Sequence, residues 1–256
     1  MRILHTADWH VGRTIRGRSR AAEHLAVLAE IIAIARAEAV DLVLVAGDQF
    51  DTAAPSPEAE RIVYRALLDL AEVAPVVVVG GNHDSAQRLE AVAPLLAASR
   101  VLVGATVLRP ADGGVLRLDV ASGESAQIAL LPFVSQRGIV RAEQLMATGA
   151  DEQSQRYDAR LRALVGALTD GFAGDTVNLV LSHLMVAGGA MGGGERPAHT
   201  VFDYCVSATA FPATASYVAL GHLHRPQQVL GPSPAWYSGS PLQLDFGEAA
   251  PTTRRC

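Results

Sequence analysis

The strongest constraint in this sequence is a recurring pattern, a short apolar run that closes on polar residues. "RILHTA" leads into "DWH", "DLVLVAG" into "DQFD", "PVVVVG" into "GNHD", "TVNLVLS" into a histidine, and "YVALG" into "HLH". Apolar runs of this length, punctuated by glycine, read as buried strands. Between the first three lie segments of helical period, residues 20–39, 56–72 and 85–98. That alternation predicts βαβ units, a sheet with helices on its faces. Ligands of open α/β sheets gather beyond the carboxyl ends of the strands. Five strand ends carrying Asp, Asn or His therefore predict one shared site.

After residue 100 the texture changes. "RVLVGATVLRP" and "GGVLRLDVASGESAQIALLP" predict short strands and a hairpin, and residues 139–148 and 154–170 predict helices. "TVNLVLSHLMV" reads as another buried strand, "AGGAMGGGERPAH" as a glycine-rich loop, and residues 201–247 as short strands between Pro and Gly turns. No internal repeat is visible.

The polar residues at the strand ends are Asp8 and His10, then Asp48 and Asp51, then Asn82, His83 and Asp84, then His183, then His222 and His224. Carboxylate oxygen, amide oxygen and imidazole nitrogen suit borderline divalent cations, and a set without cysteine argues against a structural zinc. Two cations roughly 3.5–4 Å apart need a bridging ligand, for which a carboxylate with two oxygens is suited. Each short motif alone has an ordinary explanation: a turn after a strand, a satisfied buried histidine, a turn-stabilising Asp84. Their order, each after an apolar strand, is what points to a metal site.

Composition sets the limits around that site. The chain has 256 residues, half of them hydrophobic, enough for a sizeable core, and with aromatics at 5% that core is built from Ala, Val and Leu. All 21 basic residues are arginine and the net charge is −5, which is not the balance of a strongly basic nucleic-acid binder, although bound cations would offset carboxylates locally. Cys205 and Cys256 form no disulfide or CxxC framework. "MRILHTADWH" opens as a strand and not as a secretory leader. No apolar run reaches membrane-spanning length. A soluble, cytoplasmic protein with no membrane partner is the expectation.

The ordered set DxH, GDxxD, GNHD, H and GHxH resembles the calcineurin-like metallophosphoesterases, and the resemblance covers nearly the whole chain. The strings "MRILHTADWHVGRT", "AGDQFDTAAPSPEA", "GNHDSAQRL", "SHLMVAGGAMGGGER", "YVALGHLHRPQ" and "YSGSPLQLDFGE" are similar to the bacterial SbcD-type nuclease subunits. The resemblance implies a four-layer α/β sandwich, two mixed β-sheets flanked by α-helices, and a DNA exo- and endonuclease acting in repair and recombination. It implies two divalent cations, Mn²⁺ first, with Fe²⁺, Mg²⁺ or Zn²⁺ as alternatives. Asp8, His10, Asp48 and His224 would hold one; Asp48, Asn82, His183 and His222 would hold the other. Asp48 would bridge, His83 would act on the leaving group without binding metal, and Asp51 would orient the His83 ring. The chemistry implied is in-line hydrolysis of a phosphodiester without a covalent intermediate. Implied partners are DNA, an SbcC-type coiled-coil ATPase, and a second copy of the chain packed through the helices at 56–72 and 85–98.

Substrate contacts are less marked in the residues. "GRTIRGRSR" packs four arginines into nine positions. Arg13, Arg16 and Arg18 read either as phosphate contacts beside the site or as a solvated approach to the next helix. Two other functions compete: a small cyclic-nucleotide phosphodiesterase on the same scaffold, and a scaffold protein without catalysis. Residues 1–247 are expected to form the catalytic domain and residues 248–256 a short polar tail. A capping domain of the kind such nucleases carry is not expected in this chain.

Overall fold

The computed structural model describes residues 1–134, 150–192 and 205–245, the side chains of 150–156 excepted. The helix expected at 139–148, most of the glycine-rich loop's second half and the tail at 248–256 lie outside the described residues.

Four parallel strands form the first sheet: β1 (Ile3–Thr6), β4 (Leu42–Ala46), β5 (Val76–Val79) and β6 (Val101–Gly104), in that order. The helices α1 (Ala21–Ala37), α2 (Pro57–Ala71) and α3 (Ala86–Ala97) connect them. β10 (Met185–Val186) and β11 (Cys205–Val206) form a short parallel pair, and the second sheet has the order β13 (Gln227–Val229), β14 (Ala235–Tyr237), β12 (Tyr217–Gly221), β9 (Val177–His183), β8 (Ser125–Leu131) and β7 (Val115–Asp119). Its central pairings are parallel and its two outer pairings antiparallel. Among the described residues only this second sheet is mixed. The first is made of βαβ crossovers throughout, and such a connection returns the chain parallel.

The period of two along each strand divides the core into layers. On β4, Leu42, Leu44 and Ala46 face the second sheet and meet Ile128, Leu130, Leu179, Leu181 and Ala219. Val43 and Val45 face the other way, against Leu28 and Ile32 of α1 and Ile62, Val63, Leu67 and Leu70 of α2. On the second sheet Val180, Val218 and Leu220 face outward onto Leu161, Val165 and Leu168 of α4 (Ala150–Thr169). The result is helix, sheet, sheet, helix. Burying a leucine such as Leu67 or Leu161 contributes about 2 kcal/mol, and because both sit in filled layers, truncation to alanine would cost about 2–5 kcal/mol.

The helices start where their chemistry allows. Ser56 caps α2 by accepting from Ala59 N at 3.2 Å, with Pro57 in the first turn and Glu58 and Glu60 facing the positive end of the helix dipole. Ser85 caps α3 in the same way through Arg88 N. The arginine-rich stretch is not a helix approach. It folds as a hairpin of β2 (Thr14–Ile15) and β3 (Arg18–Ser19), turning at Arg16 and Gly17, both with positive φ. α1 starts only at Ala21, and α4 starts at Ala150, four residues before the sequence expectation.

Candidate metal centre

The carboxyl ends of β1, β4, β5, β9 and β12 converge because the inter-sheet layer is thin at that edge. A Cβ on Gly221 would lie 1.8 Å from Ala46 O, and one on Gly47 would lie 2.3 Å from His183 Nδ1. Glycine lets the strand ends of the two sheets touch. The loops after β1 and β4 then run side by side, with Asp8 N donating to Gly47 O, His10 N to Asp48 O and Val11 N to Gln49 O, each at 3.0 Å.

These loops hold polar residues in strained conformations. Asp8, His10, Asp48 and His222 have φ of 54°, 47°, 53° and 107°. Left-handed backbone at a non-glycine residue costs about 1–2 kcal/mol, and such strain concentrates at functional sites. Asp8, His10, Asp48, His83, His183, His222 and His224 are all buried, and Asn82 is half-buried. Three overlapping groups have donor atoms within 4.8 Å of one another: Asp8, His10 and His224; His10, Asp48 and His83; Asp8, Asp48 and His183.

Asp48 stands at the centre. Its Oδ2 lies 3.5 Å from Nε2 of both His10 and His183, and its Oδ1 accepts from His83 N at 2.8 Å. Burial pushes its carboxyl up to about 6, although the charges of His83 and His224 and the His83 amide pull the other way. Burial also pushes His10 down to about 3, against the pull of Asp51.

The donor set fits a divalent cation on its own chemistry. His183 Nδ1 lies 2.8 Å from Ala46 O, so that nitrogen carries the proton and donates it. Nε2 is then a lone pair, and it faces Asn82 Oδ1 at 2.9 Å. The same amide oxygen faces His222 Nδ1 at 2.9 Å. His183 Nε2 and Asn82 Oδ1, two electron-pair donors pressed together in a buried site, suit a cation between them, and a ligating histidine that donates its other N–H to a carbonyl is the common arrangement. His10 Nε2 is buried without a hydrogen-bond partner, an orphaned state that metal ligation would relieve.

His83 and Asp51 lie together, and the contact is made by the main chain of residue 51. Residue 51 reaches the His83 ring through its backbone: Nδ1 of His83 lies 2.7 Å from Asp51 O. The Asp51 carboxylate lies instead 3.5 Å from His10 Nδ1 and 3.2 Å from Arg13 Nη1. Of the three candidate arginines, Arg13 therefore turns inward, while Arg16 and Arg18 are exposed on the hairpin. Asp84 accepts from Gly81, Phe50 and Gln49 backbone N–H groups at 2.8, 3.0 and 3.4 Å and so ties the loops after β4 and β5 together.

Two supporting residues escaped the sequence reading. Phe133, just beyond β8, stacks on His222 at 6.4 Å between ring centroids and meets His183 edge-on at 6.3 Å. It stands at the same sheet edge as the other strand ends, which is the signal that could have found it. Ser240 Oγ donates to Asp8 O at 2.8 Å, and Ser240 N to His224 O at 3.0 Å, so the "YSGSPLQ" loop braces two candidate ligands.

Fold and cluster together define a phosphoesterase-type sandwich with a divalent-metal site at its shared strand ends. Residues 1–226 match the calcineurin-like phosphoesterase family, and the chain belongs to it. It is 40% identical to the SbcD subunit of the SbcCD nuclease from Bacillus subtilis, over 97% of this chain and 63% of that protein. It is 41% identical to the subunit of the same name from Rhodobacter capsulatus (97% and 64%) and 32% identical to that of Escherichia coli K12 (97% and 62%). The chain thus spans less than two thirds of the length of these relatives. A dimetal phosphatase from Danio rerio, 16% identical, shares the fold with a TM-score of 0.53 over 93% of this chain and 86% of its own. Among the described residues no helix is long and apolar enough to cross a membrane.

Proposed function

We propose that this chain is the catalytic domain, residues 1–247, of a metal-dependent DNA nuclease. Its reaction would be hydrolysis of phosphodiesters, as a 3′–5′ exonuclease on duplex ends and an endonuclease on single strands. The observation that carries the metal reading is the pair of 3.5 Å contacts from Asp48 Oδ2 to His10 and to His183. One carboxylate oxygen between the two proposed ligand sets is what a bridge requires. The DNA substrate rests on the similarity to nuclease subunits over 97% of this chain.

Asp8, His10, Asp48 and His224 would hold one cation, and Asp48, Asn82, His183 and His222 the other, with Mn²⁺ as the first choice. Bound there, the cations supply an activated water and charge stabilisation for in-line displacement at phosphorus. His83 would stay off the metal. Its Nδ1–H donates to Asp51 O, which leaves Nε2–H of the imidazolium form as the position from which a proton would pass to the departing 3′ oxygen. The Asp48 carboxylate, which accepts from the His83 amide, holds that residue at the rim. Phe133 packs on the His222 ring and limits its rotation. Arg16 and Arg18, exposed on the hairpin, would make phosphate contacts. In the whole protein, the partners would be an SbcC-type coiled-coil ATPase and a second copy of the chain, in the cytoplasm.

The test is a nuclease assay on duplex and single-stranded DNA with Mn²⁺, Mg²⁺ or chelator, beside bis-p-nitrophenyl phosphate. DNA cleavage that needs Mn²⁺ and stops with chelator is expected. Turnover confined to small phosphodiesters would assign the site to a small-substrate phosphodiesterase.

A further inference from the structure

Arg13 belongs to the arginine-rich stretch whose side chains suit a DNA backbone, yet it faces the site's interior. Its Nη1 lies 3.2 Å from Asp51 Oδ1, and the two side chains are only 24% and 14% exposed. The pairing is built by the backbone. Arg13 N donates to His10 O, Asp51 N donates to Val11 O, and Val11 bridges Phe50 in parallel register. The loops after β1 and β4 are laced together so that Arg13, Asp51 and His10 fall in a row.

We infer that Arg13 and Asp51 are positioning residues for His10: Arg13 holds the Asp51 carboxylate against His10 Nδ1, which keeps the ring proton there and leaves Nε2 as the metal donor. The inference rests on the metal-site reading above. His10 is buried between two carboxylates, with Nδ1 3.5 Å from Asp51 Oδ1 and Nε2 3.5 Å from Asp48 Oδ2. A neutral imidazole has one N–H to place. On the Asp51 side the facing group is an acceptor, which favours a proton on Nδ1. On the other side Nε2 faces Asp48 Oδ2, in a residue that clusters with Asp8 and His224, and a proton there would block ligation. The Asp51 carboxylate must stay in place beside Nδ1 to win the proton from Asp48. Arg13 supplies the fixed positive charge and stops the carboxylate from swinging toward solvent. The contact is a single Nη1 approach and not a two-pronged one, so lysine can replace much of it.

Two variants and a rescue separate this from a DNA-contact role. Arg13→Gln, Asp51→Asn and Arg13→Lys are titrated with Co²⁺, read by its visible absorption, and with Mn²⁺, read by calorimetry, in the absence of DNA. Urea denaturation of each metal-free variant controls for folding, with Arg65→Gln on the outer face of α2 as a neutral comparison. In Arg13→Gln and Asp51→Asn, one binding step is expected to weaken by about 10–100-fold, the scale of losing a ligand's supporting partner. The other step is unchanged, the Co²⁺ bands of the weakened site shift, and Arg13→Lys recovers most of the affinity. Both steps intact in Arg13→Gln, with only the salt dependence of DNA binding reduced, would overturn the inference and make Arg13 a phosphate contact. Both steps weakened in proportion to lost stability would overturn it as well, in favour of general support. A wild-type chain that binds no cation, or an Asp48→Ala chain that binds them normally, would bring down the metal-site reading itself and this inference with it.

Discussion

Gly221 at the end of β12 lies against Ala46 at the end of β4 so closely that a Cβ there would meet Ala46 O at 1.8 Å. The same carbonyl oxygen accepts from His183 Nδ1. The contact that joins the two sheets is therefore also the one that sets the His183 tautomer.

Gly221→Ala is expected to push the strand ends apart. Overpacking of this kind costs about 1–3 kcal/mol, and movement of Ala46 O frees the His183 ring to turn. The expected outcome is a lower urea midpoint and weaker Mn²⁺ binding together. Gly123→Ala, at a hairpin turn with nothing within 4 Å of its Cβ position, is expected to leave Mn²⁺ binding unchanged. Equal metal affinity in Gly221→Ala and wild type would show that the close approach is not needed.

Asp84 is the tie between the loops after β4 and β5, through three backbone N–H groups. Asp84→Asn turns an NH₂ group toward at least one of these donors, and an unpaired buried N–H costs about 1–3 kcal/mol. The variant is expected to be less stable by that order in chemical denaturation. The pH dependence has a definite sign. Burial and the Asp48 charge lift Asp84 to about 7 from the ordinary 3.8, despite the three donors. The folded, metal-free protein therefore holds this proton more tightly than the unfolded chain, and the stability so gained is lost as pH rises through that window. Asn does not titrate, so the gap between wild type and variant is expected to narrow from about pH 4 to about pH 7. A gap that widened would contradict the buried-acid assignment.

Metal affinity has a pH profile of its own. Asp48, lifted to about 6 first of all by burial, carries a proton below that pH in the metal-free protein and must release it on loading. His10, pushed down to about 3, is already neutral and releases none. Mn²⁺ affinity is expected to level off above about pH 7 and to fall about tenfold per unit below about pH 6, with a proton released that buffer-dependent calorimetry would register. Undiminished affinity from pH 6 to pH 5 would contradict a ligand role for Asp48.

Much of this architecture is legible in the residues. "LVLVA" and "VVVV" announce strands buried on both faces, and glycine before Asp48, Asn82 and His222 announces a strand exit, so the convergence of Asp8, Asp48, Asn82, His183 and His222 follows from strand order. Side-chain aim does not. GDxxD spacing brings residue 51 to His83, but whether carbonyl or carboxylate makes the contact depends on the φ of 53° at Asp48 and on the pull of Arg13, neither of which has a period. The β2–β3 hairpin was hidden because its four strand residues form no apolar run. Phe133 was hidden because it follows Pro132 beyond the last strand residue, where local pattern ends and only tertiary packing on His222 gives it a role.

The central claim is that Asp48 serves two cations while His83 serves none, and metal content measured beside nuclease activity tests it most directly. Wild type, Asp48→Ala and His83→Ala are loaded with Mn²⁺, desalted and analysed for metal per chain. Wild type is expected to retain close to two ions. Asp48→Ala is expected to retain almost none and to be inactive. His83→Ala is expected to keep both ions and lose activity by about 10²–10⁴-fold, the usual contribution of a proton donor. Loss of metal from His83→Ala as complete as from Asp48→Ala would contradict the account.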